Sequence, residues 1–254
     1  MKFKGRLGPA DDDDKAVRIL NRVVTWKSHG IEYEADQRHA DIIIESLGLK
    51  GKKSLASPGV RTADEKDDPE DEERLSPTEA SIYRSVTARA NYLSQDRLDI
   101  KYPVKELSRW QCQPRRKDAR RLTRLGKYLI GRERYVTNYP YQSRVRQLEV
   151  WTDTDYAGCR DTRKSTSGGL IRFGQHLIRG WSSTQKVIAL SSGEAEYYGL
   201  VRGTAEAMGT KSILTDMGVT VSIRAFEDSV AARGIATRTG LGKVRHMEVN
   251  QLWV

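Results

Sequence analysis

The chain has 254 residues, of which 37% are hydrophobic and 31% charged, and its formal net charge is +10. This length suits one large domain or two modest ones, and the low apolar content predicts a soluble chain without a membrane span. The N-terminal sequence MKFKGRLGPADDDDK lacks the apolar core of a secretory signal. Cys112 and Cys159 are too far apart in sequence to suggest a metal-ligand pair. These features predict an intracellular protein, cytoplasmic or nuclear, that is not secreted.

The charges are distributed unevenly along the chain. Positions 62–74 (TADEKDDPEDEER) are strongly acidic, whereas positions 109–146 hold twelve Lys or Arg residues against two acidic ones. A basic block of this kind predicts contact with the phosphate backbone of a nucleic acid. A solvated basic face without a partner is the competing interpretation.

The first 49 residues alternate short apolar runs with turns. Positions 17–24 predict a strand or a strand pair, and positions 38–48 predict a helix that ends at Gly48. Positions 50–75 are rich in Gly, Pro and acidic residues and contain almost no apolar side chains. This composition predicts an acidic, flexible linker.

The middle segment, 76–144, is predicted to be helical, basic and amphipathic. Ser76, Pro77 and Glu79 form the signature of a capped helix N-terminus. A second helix, over about 117–130, places leucines on one face and Arg and Lys on the other.

From position 145 onward the hydrophobic pattern changes from helical to extended. The predicted elements are strands at 148–153, 168–174 and 176–182, a long helix at 193–217, a strand at 221–227 and a short helix at 228–236. This order predicts a mixed α/β sheet crossed by a helix. The apolar side of the long helix is predicted to carry Tyr197, Leu200, Val201, Ala205 and Met208.

Four carboxylates fall at the ends of these elements: Asp153, Glu196, Asp228 and Glu248. Side chains that follow the ends of strands can converge at the mouth of an α/β sheet. Hard divalent cations such as Mg²⁺ prefer oxygen ligands. Two such ions, about 3.5–4 Å apart, can stabilise both the attacking water and the leaving oxygen of a phosphodiester. The pattern therefore favours a metal-dependent nuclease.

Spacing alone leaves alternatives to this site. The chain contains 34 acidic residues, and each carboxylate taken singly is more simply a solvated surface group. Alternation favours Asp153 over Asp155, since Asp153 shares a strand face with Trp151, which is predicted to be a core residue, whereas Asp155 lies past the end of the predicted strand. Helix phase separates Glu194 from Glu196 less well, so the spacing leaves that choice open.

Several motifs resemble the C-terminal region of copia-type (Pseudoviridae-like) retrotransposon Pol polyproteins. They are DTDYAGCRDTRKSTSG (153–168), WSSTQKVIALSSGEAEY (181–197), DSVA (228–231) and KVRHMEV (243–249). Upstream, positions 90–109 resemble the helical region between the polymerase and the nuclease, and YEADQRHADI (33–42) resembles the end of the polymerase module. The resemblance covers nearly the whole chain apart from the acidic linker.

The resemblance implies an α/β fold of the ribonuclease H type at 145–254, with a mixed sheet and a crossing helix. It would follow a helical, basic connection segment at 76–144 and a small, polymerase-derived, thumb-like piece at 1–49. The implied activity is hydrolysis of the RNA strand of an RNA–DNA hybrid. The implied partners are that hybrid and the reverse transcriptase portion of the same polyprotein, without a membrane.

The same resemblance implies two Mg²⁺ (or Mn²⁺) ions held by Asp153, Glu196, Asp228 and Glu248. Glu196 is favoured over Glu194 because AEYYGL best matches the helix register of related nucleases. His246 is the candidate proton shuttle near the outer ion.

Contacts with the hybrid are expected to follow its shape and 2′-hydroxyls rather than its base sequence. The candidates to hold the backbone are Arg163, Lys164, Ser165, Thr166 and Lys186, with Gln185 beside the last of them. The basic helix is expected to extend this track through Arg115, Arg116, Lys117, Arg120, Arg121 and Arg124.

Polymerase activity is not expected. It needs adjacent Asp residues in a strand hairpin, and the Asp pairs here, at 11–14 and 67–68, fall in polar loops. The chain is therefore interpreted as a fragment or a decayed copy of an element. One alternative function is a catalytically inactive, nucleic-acid-binding remnant of a truncated retroelement. Another is an unrelated α/β nuclease or integrase-like transferase with a similar acid cluster.

Overall fold

The computed structural model of the chain describes residues 5–59, 69–159, 161–238, 247 and 252–253. It is a mixed α/β protein with two compact units, Met1–Tyr141 and Gln142–Val254. The described residues form two four-stranded sheets and six α-helices. Within this part of the chain, no helix combines the length and the apolar character needed to cross a lipid bilayer.

The N-terminal unit contains an antiparallel sheet in the order β1-β2-β3-β4. Its strands are β1 (Ala16–Ile19), β2 (Arg22–Lys27), β3 (Gly30–Glu34) and β4 (Val136–Pro140). The region predicted at 17–24 is therefore a hairpin. It turns at Leu20 and Asn21, whose φ angles of 50° and 64° match the two left-handed residues of a tight hairpin turn.

The helices of this unit share one hydrophobic core. They are α1 (Arg38–Ser46), α2 (Pro77–Leu93), α3 (Lys101–Ser108) and α4 (Arg116–Leu129). Ile43 of α1, Leu107 of α3 and Leu125 of α4 are all buried in it. The segments on the two sides of positions 50–75 therefore pack together in a single folding unit.

Helix α2 begins where the sequence predicts. The Ser76 backbone N–H donates to the Glu79 carboxylate at 3.0 Å, and the Glu79 N–H donates to the Ser76 hydroxyl at 3.4 Å. Pro77 occupies the first helical position. This reciprocal capping confirms the predicted start of the helix.

The C-terminal unit contains a sheet in the order β7-β6-β5-β8, in which β8 is parallel to β5 and the other pairs are antiparallel. Its elements are β5 (Gln147–Asp155), β6 (Thr166–Phe173), β7 (His176–Thr184), α5 (Ser192–Asp216), β8 (Ser222–Phe226) and α6 (Val230–Thr237). The predicted order of strands and helices over 145–238 is confirmed. The topology is compatible with a ribonuclease H-like fold.

Helix α5 lies against β5 through two glycines. A Cβ atom added at Gly203 would lie 2.4 Å from Thr152 Cγ2, and one added at Gly199 would lie 2.6 Å from Thr154 Oγ1. Such distances are shorter than van der Waals contact, so only glycine lets the helix backbone approach the strand this closely. The two glycines lie one turn apart and set the position of α5 over β5.

Two predictions about the core of this unit are wrong. Ala205 and Met208 were expected on the buried side of the long helix, but both are exposed, and Ala207 is buried instead. Trp151 was expected in the core but is 40% exposed and stacks on Phe226, with ring centroids 3.9 Å apart. The alternation of β5 places its even-numbered residues inside and Trp151 on the outer face.

Replacing Gly203 with Ala is expected to destabilise the C-terminal unit, although alanine is the better helix former. The added methyl group must displace Thr152, and overpacking of this kind typically costs ~1–3 kcal/mol. The free energy of unfolding in urea measures the effect.

Gly209→Ala is the matched control, because it lies in the same helix and its added Cβ would meet nothing within 4 Å. This substitution is expected to stabilise the unit by about 0.5–1 kcal/mol, the propensity difference alone. Equal stabilisation by both substitutions would contradict the close contact between α5 and β5.

Candidate metal centre

The parallel pairing of β5 with β8 brings acidic residues to one edge of the sheet. Trp151 is opposite Phe226 in this register, so Glu227 and Asp228 follow beside Thr152 and Asp153. The Thr152 hydroxyl donates to Glu227 Oε2 at 2.9 Å, which fixes this alignment beyond the end of β8. Carboxylates that leave parallel strands at the same edge can meet at a single site.

Helix α5 adds a third element to this edge. Its N-cap, Ser191, accepts a hydrogen bond from the Glu194 N–H at 3.2 Å, and Glu196 follows in the first turns. Carboxylate oxygens of Glu196, Glu227 and Asp228 lie within 4.8 Å of one another. Asp153 is near enough for its charge to act on Glu196. The structure thus brings together two of the predicted residues, Glu196 and Asp228, and the charge of Asp153 acts on Glu196 from the same edge of the sheet.

Glu227 belongs to this cluster and was not predicted. The sequence predicts a strand over 221–227, which includes Glu227 and leaves Asp228 as the acidic residue that follows the strand. Strand β8 ends at Phe226, however, and the chain beyond it is free of the alternation of side chains along a strand. Two acidic residues directly after a strand were the signal that could have identified Glu227.

Glu194 and Glu196 have different environments, although they are two residues apart on α5. Glu194 accepts hydrogen bonds from the Leu190 N–H at 3.0 Å and from the Tyr198 hydroxyl at 2.7 Å, so its carboxylate is engaged at the start of the helix. Glu196 is only 8% exposed, and its Oε2 atom has no hydrogen-bond partner in the described structure. A buried oxygen without a partner is unfavourable unless a cation or water satisfies it. Glu196 is therefore the carboxylate available to a ligand.

Burial and like charges both disfavour the ionised form of this cluster. The pKa of Glu196 is raised to about 7, first by burial and then by the charges of Glu227, Asp153 and Asp228. Burial also raises the pKa of Glu227. A divalent cation would offset both effects. The donors are all carboxylate oxygens, which fit a hard ion such as Mg²⁺ or Mn²⁺ better than a thiophilic one.

Glu196→Gln is expected to stabilise the protein at pH 8 by roughly 1–3 kcal/mol when divalent cations are absent. When the pKa of a carboxyl is higher in the folded than in the unfolded chain, the folded state becomes less stable as the pH rises between the two pKa values. For Glu196 this range runs from 4.5 to about 7. At pH 4 the wild-type carboxyl is protonated in both states, so the substitution should change little. Urea unfolding at both pH values, in the presence of EDTA, measures the difference.

Glu194→Gln is the control for this comparison. Its amide cannot accept both hydrogen bonds that Glu194 accepts, so it should destabilise the protein at pH 8 as well as at pH 4. If Glu196→Gln instead destabilised the protein at pH 8, other groups of the metal-free protein would already stabilise the charge of the Glu196 carboxylate.

The remaining predicted catalytic residues, His246 and Glu248, lie outside the described residues. Met247 between them is described, and it is buried with Tyr197 and Val201 of α5 and Ala232 of α6. The proton shuttle and the fourth predicted ligand therefore stay predictions.

The predicted backbone-binding residues divide into exposed and buried groups. Arg163 and Lys186 are exposed and Lys164 is half-buried. They flank the edge at which β6 begins and β7 ends, where Thr166 is opposite both Asp155 and Thr184. This is the edge of the sheet that carries Asp153.

Ser165 and Thr166 are not available to a nucleic-acid backbone in this structure, because both are buried. The Ser165 hydroxyl accepts a hydrogen bond from the Ala157 N–H at 3.0 Å. Gln185 is also buried, and its amide donates to Ser167 Oγ at 2.9 Å and to the Ala195 carbonyl at 2.8 Å. These three polar side chains support the loops around the cluster.

The basic face of α4 pairs with acidic residues at the end of the segment predicted as a flexible linker. Residues Pro69–Glu72 form a 3₁₀ turn. The ion pairs join Arg115 to Glu72 at 2.9 Å, Arg116 to Glu73 at 2.5 Å, Lys117 to Glu72, and Arg120 to Asp71. These four cations already have acidic partners within the N-terminal unit. The predicted contact of α4 with a nucleic-acid backbone is therefore limited at these four positions.

Two curated relatives of this chain are transposon polyproteins. The retrovirus-related Pol polyprotein from transposon RE1 of Arabidopsis thaliana is 31% identical over 142 residues, which are 56% of this chain. The retrovirus-related Pol polyprotein from transposon TNT 1-94 of Nicotiana tabacum is 24% identical over an alignment of 262 positions that covers 100% of this chain. The chain spans only 10% of the first polyprotein and 20% of the second.

A third relative has a different description. The secreted RxLR effector protein 161 of Plasmopara viticola is 31% identical over 127 residues, which are 50% of this chain and 89% of that protein. No family model matches the chain. No solved structure matches it.

Proposed function

Because this chain is homologous to the retrovirus-related Pol polyproteins of plant transposons, we propose that its C-terminal unit is a ribonuclease H-type endonuclease. It hydrolyses the RNA strand of an RNA–DNA hybrid, with two Mg²⁺ or Mn²⁺ ions as cofactors. The unit acts as part of a polyprotein that carries out reverse transcription, and its partner there is the reverse transcriptase portion. This role implies an intracellular location.

The observation that carries the proposal is the convergence of carboxylates from three separate elements. Asp153 comes from β5, Glu196 from α5 and Asp228 from the residues after β8. Glu196 Oε2 is buried and has no hydrogen-bond partner in the described structure. A carboxylate oxygen of Glu196 lies within 4.8 Å of one from Asp228, and the charge of Asp153 acts on Glu196. An all-oxygen donor set at the mouth of a sheet is the arrangement that phosphodiester hydrolysis with divalent cations requires.

The roles of the side chains follow from their placement. Asp153 and Asp228 are exposed, so an ion bound to them could also coordinate water or the substrate. Glu196 lies on the inner, buried side of the site. When bound, divalent cations lower the pKa of a coordinated water and stabilise the charge that develops on the phosphate and on the leaving oxygen. The carboxylates would hold these ions in place. Without the ions, the negative charge of the carboxylates would repel a phosphate group.

Cations at the same edge of the sheet are placed to contact the phosphates of the substrate. Arg163, Lys164 and Lys186 flank the carboxylates on the loops around β6 and β7. Phosphate contacts of this kind position a nucleic acid without reading its sequence. Selectivity for a hybrid then comes from the shape of the duplex and from its 2′-hydroxyls.

Asp153→Asn is expected to reduce hydrolysis of a labelled RNA–DNA hybrid in Mg²⁺ by about 100-fold or more, because it removes a charged ligand while keeping the size of the side chain. Gel analysis of the cleaved RNA measures the rate. Asp216→Asn is the control, because Asp216 is an exposed carboxylate at the far end of α5. This variant should cleave at the wild-type rate.

Two results would contradict the proposal in different ways. Salt-sensitive binding of the hybrid without any cleavage by the wild-type chain would identify an inactive, nucleic-acid-binding remnant. Cleavage of duplex or single-stranded DNA in preference to the hybrid would place the unit with a different class of nuclease.

A further inference from the structure

Glu227 is held in a fixed orientation at the edge of the carboxylate cluster. Its Oε2 atom accepts a hydrogen bond from the Thr152 hydroxyl at 2.9 Å, and its Oε1 atom accepts one from the Ser229 N–H at 3.1 Å. Both partners are donors, and each carboxylate oxygen has two lone pairs. One lone pair on each oxygen therefore remains available to a cation.

The neighbours of Glu227 are carboxylates. Its ligand atom lies within 4.8 Å of those of Glu196 and Asp228. In the described part of the chain, no lysine or arginine forms an ion pair with Glu196 or Glu227. Three negative groups at this separation repel one another, and the repulsion is stronger where water is excluded.

An independent observation also indicates a ligand at this position. Glu196 is buried, with 8% of its surface exposed, and its Oε2 atom has no hydrogen-bond partner among the described residues. Glu227 lies on the side of β5 that faces α5, since it accepts a hydrogen bond from the buried Thr152. A carboxylate oxygen of Glu196 lies within 4.8 Å of one from Glu227, so one ion can contact both residues.

We propose that Glu227 is a direct ligand of the divalent cation, together with Asp153, Glu196 and Asp228. The described residues then supply four carboxylates to the site without a contribution from Glu248. This inference rests on the proposed metal-dependent function, because it concerns the same site. It differs from that function in assigning a ligand role to Glu227, which can be tested without any substrate.

The test is a titration of the full chain, stripped with EDTA, with MnCl₂. Electron paramagnetic resonance of the unbound Mn²⁺ gives the dissociation constant. Glu227→Gln is expected to weaken Mn²⁺ binding by about tenfold or more. Glu227→Asp retains the charge and should recover part of the lost affinity.

Asp155→Asn is the control for charge alone. It removes one negative charge from the same edge of the sheet, two residues from Asp153, but it does not alter the cluster itself. It should weaken Mn²⁺ binding by less than about threefold, since an exposed charge at a distance is screened by solvent. Urea unfolding of each variant shows whether it is folded, and Glu227→Ala, which also removes the ligand, replaces Glu227→Gln in the comparison if the latter unfolds.

The outcomes separate the inference from the proposed function. If Glu227→Gln binds Mn²⁺ as tightly as Asp155→Asn does, Glu227 is not a ligand, and the nuclease proposal stands on its own assay. If the wild-type chain binds Mn²⁺ in a Glu227-dependent manner but cleaves no hybrid, the inference stands and the nuclease proposal fails. Absence of Mn²⁺ binding by the wild-type chain overturns both.

Discussion

Parallel pairing of β8 with β5 is the constraint on which the carboxylate cluster of the C-terminal unit depends. The parallel pairing of β8 with β5 and the close approach of α5 at Gly199 and Gly203 force several acidic side chains to one edge of the sheet. Burial of Glu196 among them raises its pKa to about 7. A divalent ion bound at this edge would offset this unfavourable energy.

Charged side chains have different surroundings in the two units. In the N-terminal unit, cations of α4 form ion pairs with acidic residues at the end of the predicted linker, as in the pair between Arg116 and Glu73. Such exposed pairs contribute little stability singly, but they neutralise a surface that would otherwise attract polyanions. In the C-terminal unit, Glu196 and Glu227 have no cationic partner in the described residues. Carboxylates without cationic partners therefore identify the candidate metal site, which the net charge of the chain does not.

The sequence predicted features that depend on local patterns. The capping box at Ser76, the order of strands and helices over 145–238, and the position of Asp228 after a strand follow from periodicity and residue type. Asp153 was predicted at the end of its strand, but β5 continues to Asp155. Features that depend on distant partners were not predictable. Gly203 has no side chain, so the sequence does not indicate that α5 contacts β5 there. The sequence around α4 likewise does not indicate that Asp71 forms an ion pair with this helix. Glu227 was missed because its role depends on where β8 ends.

A crystal of the chain, soaked in MnCl₂ and measured at an anomalous wavelength, shows whether the carboxylate cluster holds a divalent ion. We expect an anomalous peak between β5 and α5, within about 2–2.5 Å of Glu196 Oε2 and of at least one oxygen of Asp228. Ions confined to other surfaces, with Glu196 and Asp228 turned away from each other, would contradict it.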